Sequence, residues 1–327
     1  MAAAVWIIVA VSTAVTAAAA GESLIPVGET VGIQIQMDGV LIAGVTQVQT
    51  PQGPVSPAEA AGLKAGDMIL AVDGQAVHTA AGIIDAMESC AGAPAQLTVR
   101  RDAQIRSVSV TPVTDDNGEA RLGLWLRDGI AGIGTVTYID PATGAYGALG
   151  HGVNDLETGV LLPVAEGSVC RAQIVDVKKG TAGSPGELAG SFDAGAVLGT
   201  IEDNTVCGIF GTMHGSLDGL HPAVEVADPS DVCSGPATIL ACVAGQTTQE
   251  YDVEISRTGI AAGSGRDLMV KVTDPDLLAA TGGIVQGMSG SPILQNGKLV
   301  GAVTHVRVND PCRGYGIFID TMLDAVA

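Results

Sequence analysis

Aromatic side chains are scarce in this 327-residue chain: three Phe, two Trp and four Tyr, 3% in all. Basic side chains are scarce too, 15 Lys and Arg against 35 Asp and Glu, which leaves a formal net charge of −20. A surface this acidic repels phosphate backbones and anionic headgroups, so nucleic acid and anionic membrane surfaces are excluded as partners of the folded part. The six cysteines (Cys90, Cys170, Cys207, Cys233, Cys242, Cys312) show no C-x-x-C spacing and no pattern with histidine that would hold zinc, so no metal and no cofactor is expected. Their even number permits disulfides, but pairing cannot be read from spacing. Disorder is excluded as well, because 47% of the residues are hydrophobic. No internal repeat or long linker appears, and the length fits two domains.

Charge is also missing from the N-terminus. Residues 5–20 are uncharged and mostly apolar, ending in Ala17-Ala18-Ala19-Ala20 before Gly21-Glu22. The run is short for a spanning helix and its small residues suit a cleavage site, so 1–22 is read as a signal peptide or membrane anchor. The absence of Lys or Arg at its start departs from the usual export signal and leaves the uncleaved anchor open.

What is present begins with two apolar runs, Thr30 to Gln36 and Val40 to Val48. They are followed by Ser56-Pro57-Ala58-Glu59-Ala60-Ala61-Gly62-Leu63-Lys64-Ala65-Gly66-Asp67-Met68-Ile69-Leu70-Ala71-Val72-Asp73-Gly74. Local chemistry predicts a short helix capped by Ser56, a buried strand and an Asp-Gly turn. A second helix follows over Thr79 to Cys90, then a hairpin closing near Pro112. This string resembles a PDZ domain, placed at 27–113. The resemblance implies binding of a peptide C-terminus, or of the protein's own chain, by strand addition, with Val31-Gly32-Ile33 as the carboxylate loop. His78, at the start of the second helix, is read as a solvated residue.

From residue 118 to 327, short strands alternate with Gly, Asp-Pro and Asn turns, which predicts a β-barrel or sandwich. Within it lies Gly287-Met288-Ser289-Gly290-Ser291-Pro292, ahead of an Asn296-Gly297 hairpin signal. A nucleophilic serine needs an exposed hydroxyl on a tight turn with amides facing a developing oxyanion, and flanking glycines permit both. The layout resembles the G-x-S-G-x-P loop of chymotrypsin-like proteases, which makes Ser289 the candidate nucleophile and the Gly287 and Ser289 amides the candidate oxyanion hole. His151 and His214, both beside glycines, are rival candidate bases that spacing does not rank. His305 sits inside an apolar strand and reads as a core or barrel-facing residue. Ser184, in Gly183-Ser184-Pro185, reads as a turn, and Cys312 as a structural thiol.

Three further stretches carry a closer resemblance: the segment around Gly147-Ala148-Leu149-Gly150-His151-Gly152, Gly180-Thr181-Ala182-Gly183-Ser184-Pro185-Gly186, and Lys271-Val272-Thr273-Asp274-Pro275 running into the Ser289 loop. Together they resemble the stage IV sporulation protein B peptidases of endospore-forming bacteria, PDZ domain first and chymotrypsin-like double β-barrel second. The resemblance implies a triad of His151, Asp274 and Ser289. A shift of register would exchange both acid and nucleophile for Asp276 and Ser291. It also implies an exported, self-processing endopeptidase that acts between the forespore membranes. Its substrate would be a membrane-bound regulator of an intramembrane protease that activates a sigma factor. The alternatives are a PDZ adaptor with an inactive protease fold, and a quality-control protease of the HtrA kind, in which the PDZ domains follow the protease.

Overall fold

The computed structural model describes residues 23–326 apart from 91, 218 and 262–264. The expected export segment therefore lies outside the described residues. No helix among the described residues is long and apolar enough to cross a membrane.

The chain opens with β1 (Ser23–Pro26) and β2 (Thr30–Val45). A small lobe follows: α1 (Pro57–Ala60), β3 (Met68–Val72), β4 (Gln75–Ala76), α2 (Ala80–Ser89), β5 (Ala95–Arg101) and β6 (Gln104–Val110). The turn between β3 and β4 uses Asp73 and Gly74 at φ of 48° and 79°, the left-handed pair that an Asp-Gly hairpin needs. Thr79 caps α2 by accepting a bond from the Gly82 amide, and Ile83 and Met87, one turn apart, are its buried face. These side chains close a core with Val40, Ile42, Leu63, Ile69, Leu97 and Val99. Each such burial contributes about 1.5–3 kcal/mol.

A small hairpin of β7 (Val113–Thr114) and β8 (Ala120–Arg121) leads into β9 (Leu124–Ile139). Then come β10 (Ala145–Ala148), β11 (Glu166–Lys178), β12 (Glu187–Thr205) and β13 (Gly208–Met213). Strands β9, β10, β13, β12, β11 and β2 pair in that order, and β2 pairs back to β9, which closes a first barrel. After β14 (Val224–Glu225), which pairs with β1, the second barrel is built from β15 (Gly235–Ala241), β16 (Gln249–Ala261), β17 (Arg266–Val272), β18 (Pro292–Gln295), β19 (Lys298–Val306) and β20 (Arg313–Phe318). It closes in the order β15-β16-β17-β20-β19-β18 around Ile239, Ile255, Leu268, Val270, Ile293 and Val303. Helix α3 (Pro275–Thr281) precedes β18, and α4 (Ile319–Asp324) ends the chain against β19 and β20. The architecture is thus mostly β, a PDZ lobe with two closed barrels, as expected. The six cysteines are free.

Two strands belong to both parts. In β2, residues 30–36 pair with β9 residues 129–135 and with β11, inside the first barrel. Past an irregularity between Gln36 and Leu41, the same strands pair as Leu41 to Val45 against Leu124 to Arg127, inside the PDZ lobe. The PDZ lobe is therefore an insertion at the end of a barrel ribbon. This corrects the placement of Val31, Gly32 and Ile33. They are ladder positions of the first barrel, with Val31 and Ile33 buried in its core and Gly32 packed under the Phe192 ring. An apolar strand flanking a glycine looks the same in sequence whether it enters a barrel or a carboxylate loop.

Candidate active site

The segment 282–291 turns from α3 into β18 with Gly282, Gly283, Gly287 and Gly290 all at positive φ. Three neighbours hold it. The tip of the β11–β12 hairpin, which carries the Gly180 to Gly186 motif, donates from the Leu188 amide to the Gln286 carbonyl and accepts at the Gly186 carbonyl from the Gln286 amide. The Ile284 amide donates to the Pro311 carbonyl at 2.8 Å. From the first barrel, the Thr135 hydroxyl donates to the Gly287 carbonyl at 2.8 Å, and its amide donates to the Ser289 carbonyl at 3.2 Å. The Gly287 and Ser289 amides donate to no acceptor among the described residues. They are free to serve an oxyanion.

His151 comes from the first barrel. Beyond β10 the chain takes two successive left-handed residues, Leu149 at 70° and Gly150 at 69°, which turn the following imidazole out of the strand line. A side chain at Gly150 would crowd Thr304 and Ile317 of the second barrel, so only glycine lets the turn seat there. His151 and Ser289 line one cleft of about 560 Å³, with apolar walls from Ile130, Ile133, Leu149, Ile284, Val285 and Val306 and no charged side chain among the described residues. The Nδ1 atom of His151 lies 2.9 Å from the Gly152 carbonyl. A carbonyl can only accept, so Nδ1 carries the proton and Nε2 remains the basic nitrogen. Burial pushes the His151 imidazole below its ordinary value, an effect the Gly152 bond partly offsets. In the resting arrangement the Ser289 hydroxyl donates to the Thr304 carbonyl at 2.6 Å.

His305, expected in the core or facing the barrel, lines the same cleft, its ring centroid 5.1 Å from that of His151. Burial, then the neighbouring His151 and Arg266 charges, lower it to about 4, so it is neutral near pH 7. His214 lines a separate pocket with Arg171 and Gln246. Ser291 is fully buried with its hydroxyl facing no partner, so of the two registers only Ser289 opens on the cleft.

Asp274 does not reach this site. It is the N-cap of α3, its Oδ1 accepting from the Asp276 and Leu277 amides at 2.9 Å each. Its Oδ2 accepts from the Asp252 amide at 3.3 Å. This corrects the triad expectation: an Asp-Pro pair ahead of an apolar helix is first of all a helix start, and the carboxylate is used there. Asp276 lies in the first turn of the same helix and lines no part of the cleft either.

A second concave site belongs to the PDZ lobe. A groove of about 570 Å³ runs between α2 (Ile83, Ile84, Met87) and the start of β9 (Leu124, Leu126). Its end is the Leu122-Gly123 turn, with Gly123 at φ 74°. Residues 124–127 of β9 pair with β2 on one side. Their other edge pairs with no strand among the described residues, as strand addition requires.

The profile of SpoIVB peptidase S55 matches residues 118–323, well over half of the chain. The chain belongs to the SpoIVB peptidase S55 family. This is a serine peptidase family, and the matched residues include both His151 and Ser289. A PDZ domain profile matches 50–101, from the α1 approach through β5. Among curated proteins, the zinc metalloprotease RasP of Geobacillus kaustophilus is 40% identical over 63 residues, 19% of this chain and 14% of that protein. This member of the SpoIVB peptidase S55 family thus spans only about a seventh of that relative's length. Among solved structures, the PDZ domain of an SdrC-like protein from Listeria monocytogenes is 24% identical, with a TM-score of 0.21. The likeness covers 26% of this chain and 90% of that one.

Proposed function

We propose that this chain is a serine endopeptidase in which Ser289 is the nucleophile and His151 the general base. The observation that carries the reading is the shared cleft, where both side chains sit beside two unengaged amides. For attack, the Ser289 hydroxyl leaves the Thr304 carbonyl and gives its proton to His151 Nε2 as Oγ bonds to the substrate carbonyl carbon. The Gly287 and Ser289 amides receive the negative oxygen, and His151 then returns the proton to the leaving amine. The Gly152 carbonyl takes the orienting role that a carboxylate fills in other serine proteases. Because the cleft walls are apolar and uncharged, the segment cleaved carries an apolar side chain next to the scissile bond.

We further propose, on the strength of the family, that the enzyme is exported, processes itself and signals in endospore formation. Its substrate is a membrane-bound regulator whose cleavage releases an intramembrane protease to activate a sigma factor. The PDZ groove takes a chain terminus of a protein partner or of a second copy of this chain. One observation favours the rival reading of an inactive fold acting as adaptor: Ser289 rests on Thr304, and no carboxylate among the described residues lines the cleft. Self-cleavage of wild-type, Ser289→Ala and Ser291→Ala protein, read by mass spectrometry beside fluorophosphonate labelling, decides between them. Cleavage and label lost only in Ser289→Ala supports the peptidase; no cleavage and no label in any form supports the adaptor.

A further inference from the structure

Segment 152–162, immediately after His151, is a closed loop that forms one wall of the cleft through Val153, Asn154 and Leu156. Its base is tied: Asn154 bridges Leu161, and the Leu162 amide donates to the Val153 carbonyl at 3.1 Å. The Asn204 side chain accepts from the Val153 amide and donates to the Val153 and Leu162 carbonyls, each at 2.8 Å. At its tip, Asp155 Oδ1 accepts from the amide and the hydroxyl of Thr158, at 2.9 and 2.8 Å.

The loop rests on the ribbon and the PDZ lobe. Leu162 is buried with Met37, Leu41 and Met68, and Val153 packs against the same cluster. Above this apolar seat, Arg127 of β9 forks across the loop tip. Its Nε lies 3.0 Å from Asp155 Oδ2 and its terminal nitrogen 2.8 Å from Glu157 Oε2. The Asp155 side chain is 0% exposed. Burial opposes its charge, yet the Thr158 bonds and Arg127 outweigh that and hold the carboxyl below its ordinary value. A buried carboxylate with one cationic partner is orienting, because losing that partner leaves it uncompensated. Arg127 directly follows Leu126, which with Leu124 edges the PDZ groove.

We propose that Arg127 is a positioning residue for catalysis. Acting through Asp155 and Glu157, it fixes the loop that directly follows His151, so the PDZ end of the ribbon is part of the peptidase's scaffolding. This rests on the reading of His151 and Ser289 as the catalytic pair. A fixed base matters because displacements of about 1 Å in a reacting group can cost about 100-fold in rate.

The test uses the full chain and counts active sites by fluorophosphonate titration, so that kcat is expressed per labelled serine. Arg127→Met is expected to lower kcat per labelled site by about 10- to 100-fold, with KM changed less than about threefold. Glu157→Gln, which removes one arm of the fork, is expected to lower it several-fold. Arg127→Lys restores part of the loss, since an ammonium can pair with Asp155 but cannot fork. A purely structural Arg127 would reduce the fraction of labelled protein and leave kcat per labelled site intact, and that result overturns the proposal. A loss confined to KM overturns it too. Should Arg127→Met not fold, Glu157→Gln and Arg127→Lys carry the same test. Failure of wild-type protein to label at Ser289 would overturn the peptidase reading and this inference with it, whereas normal labelling with unaltered kcat in all three variants would overturn this inference alone.

Discussion

Gly290 follows the proposed nucleophile Ser289 at φ 99°, at the seam between the barrels. A Cβ placed there would overlap the Thr135 carbonyl oxygen and stand 2.7 Å from the Leu149 amide nitrogen. Ordinary contact begins near 3.4 Å, so the Leu149 amide would have to retreat by about 0.7 Å and the Thr135 carbonyl by more. Those two groups bond each other at 3.1 Å in the turn that presents His151, and the Thr135 amide also holds the Ser289 carbonyl. One methyl group would therefore wedge the turns that hold both His151 and Ser289. The left-handed conformation adds about 1–2 kcal/mol once a side chain is present, and forced overpacking adds about 1–3 kcal/mol. Gly297, in the β18–β19 turn at φ 77°, has nothing within 4 Å of its would-be Cβ, so alanine there bears the conformational cost alone. Gly290→Ala should thus lose about 2–5 kcal/mol in urea denaturation against about 1–2 kcal/mol for Gly297→Ala. It should also lose about 100-fold in kcat/KM on a peptide substrate, while Gly297→Ala stays near wild type. Equal stability of the two variants, or a Gly290→Ala rate within threefold of wild type, would refute the account of the seam.

Asp274→Ala should cost about 0.5–2 kcal/mol of stability through the lost helix cap and less than tenfold in kcat. A fall of about 10,000-fold would return Asp274 to the triad. Because burial lowers the His151 imidazole below its ordinary 6.5, the acid limb of the kcat/KM profile should fall below pH 6.5; a limb above that value would show that another group is the base. For His305, whose folded value of about 4 lies below its ordinary 6.5, the unfolded chain binds more protons between those values. Stability is then full above pH 6.5 and declines as pH falls toward 4, by up to about 1.4 kcal/mol per pH unit, a slope that His305→Gln should flatten. In the PDZ groove, Ile84→Glu should abolish capture of peptides with a free apolar C-terminus, while Ile105→Glu on the exposed face of β6 should not; equal binding by both variants would move the groove elsewhere.

Much of this architecture was legible in local chemistry. The Asp73-Gly74 and Asn296-Gly297 turns and the Ser289 loop are fixed by neighbours in sequence and stand where their residue types predict, whereas Ser56, expected to cap α1, makes no side-chain cap bond. What eluded a linear reading depends on contacts between distant segments. Strand residues 30–36 carry the same apolar pattern in a barrel as in a PDZ lobe, and only pairing with β9 and β11 decides the matter. His305 sits in an apolar strand because the strand is buried, yet an irregularity between Val303 and His305 in the β19–β20 ladder accompanies its place on the cleft. Asp274 carried two meanings, cap and catalytic acid, and its local amides decided for the cap. Asn204 and Arg127 bear no motif at all. Their importance comes from what they reach, 51 residues back to Val153 and 30 residues on to Glu157.

The shared ribbon of β2 and β9 has a consequence for how this enzyme can be built or taken apart. Residues 118–323 bear the family signature, but the ring they supply is missing a member, since β2 lies upstream of the entire PDZ lobe. Cut out alone, that segment would carry both His151 and Ser289 and still leave β9 and β11 with open edges. The first barrel can form only after the PDZ lobe has been made between its two adjoining staves, and exchanging one PDZ domain for another means splicing inside two continuous strands. In this chain the proposed recognition groove and the proposed cleavage site are not cassettes joined by a hinge; they are two ends of one hydrogen-bonded beam.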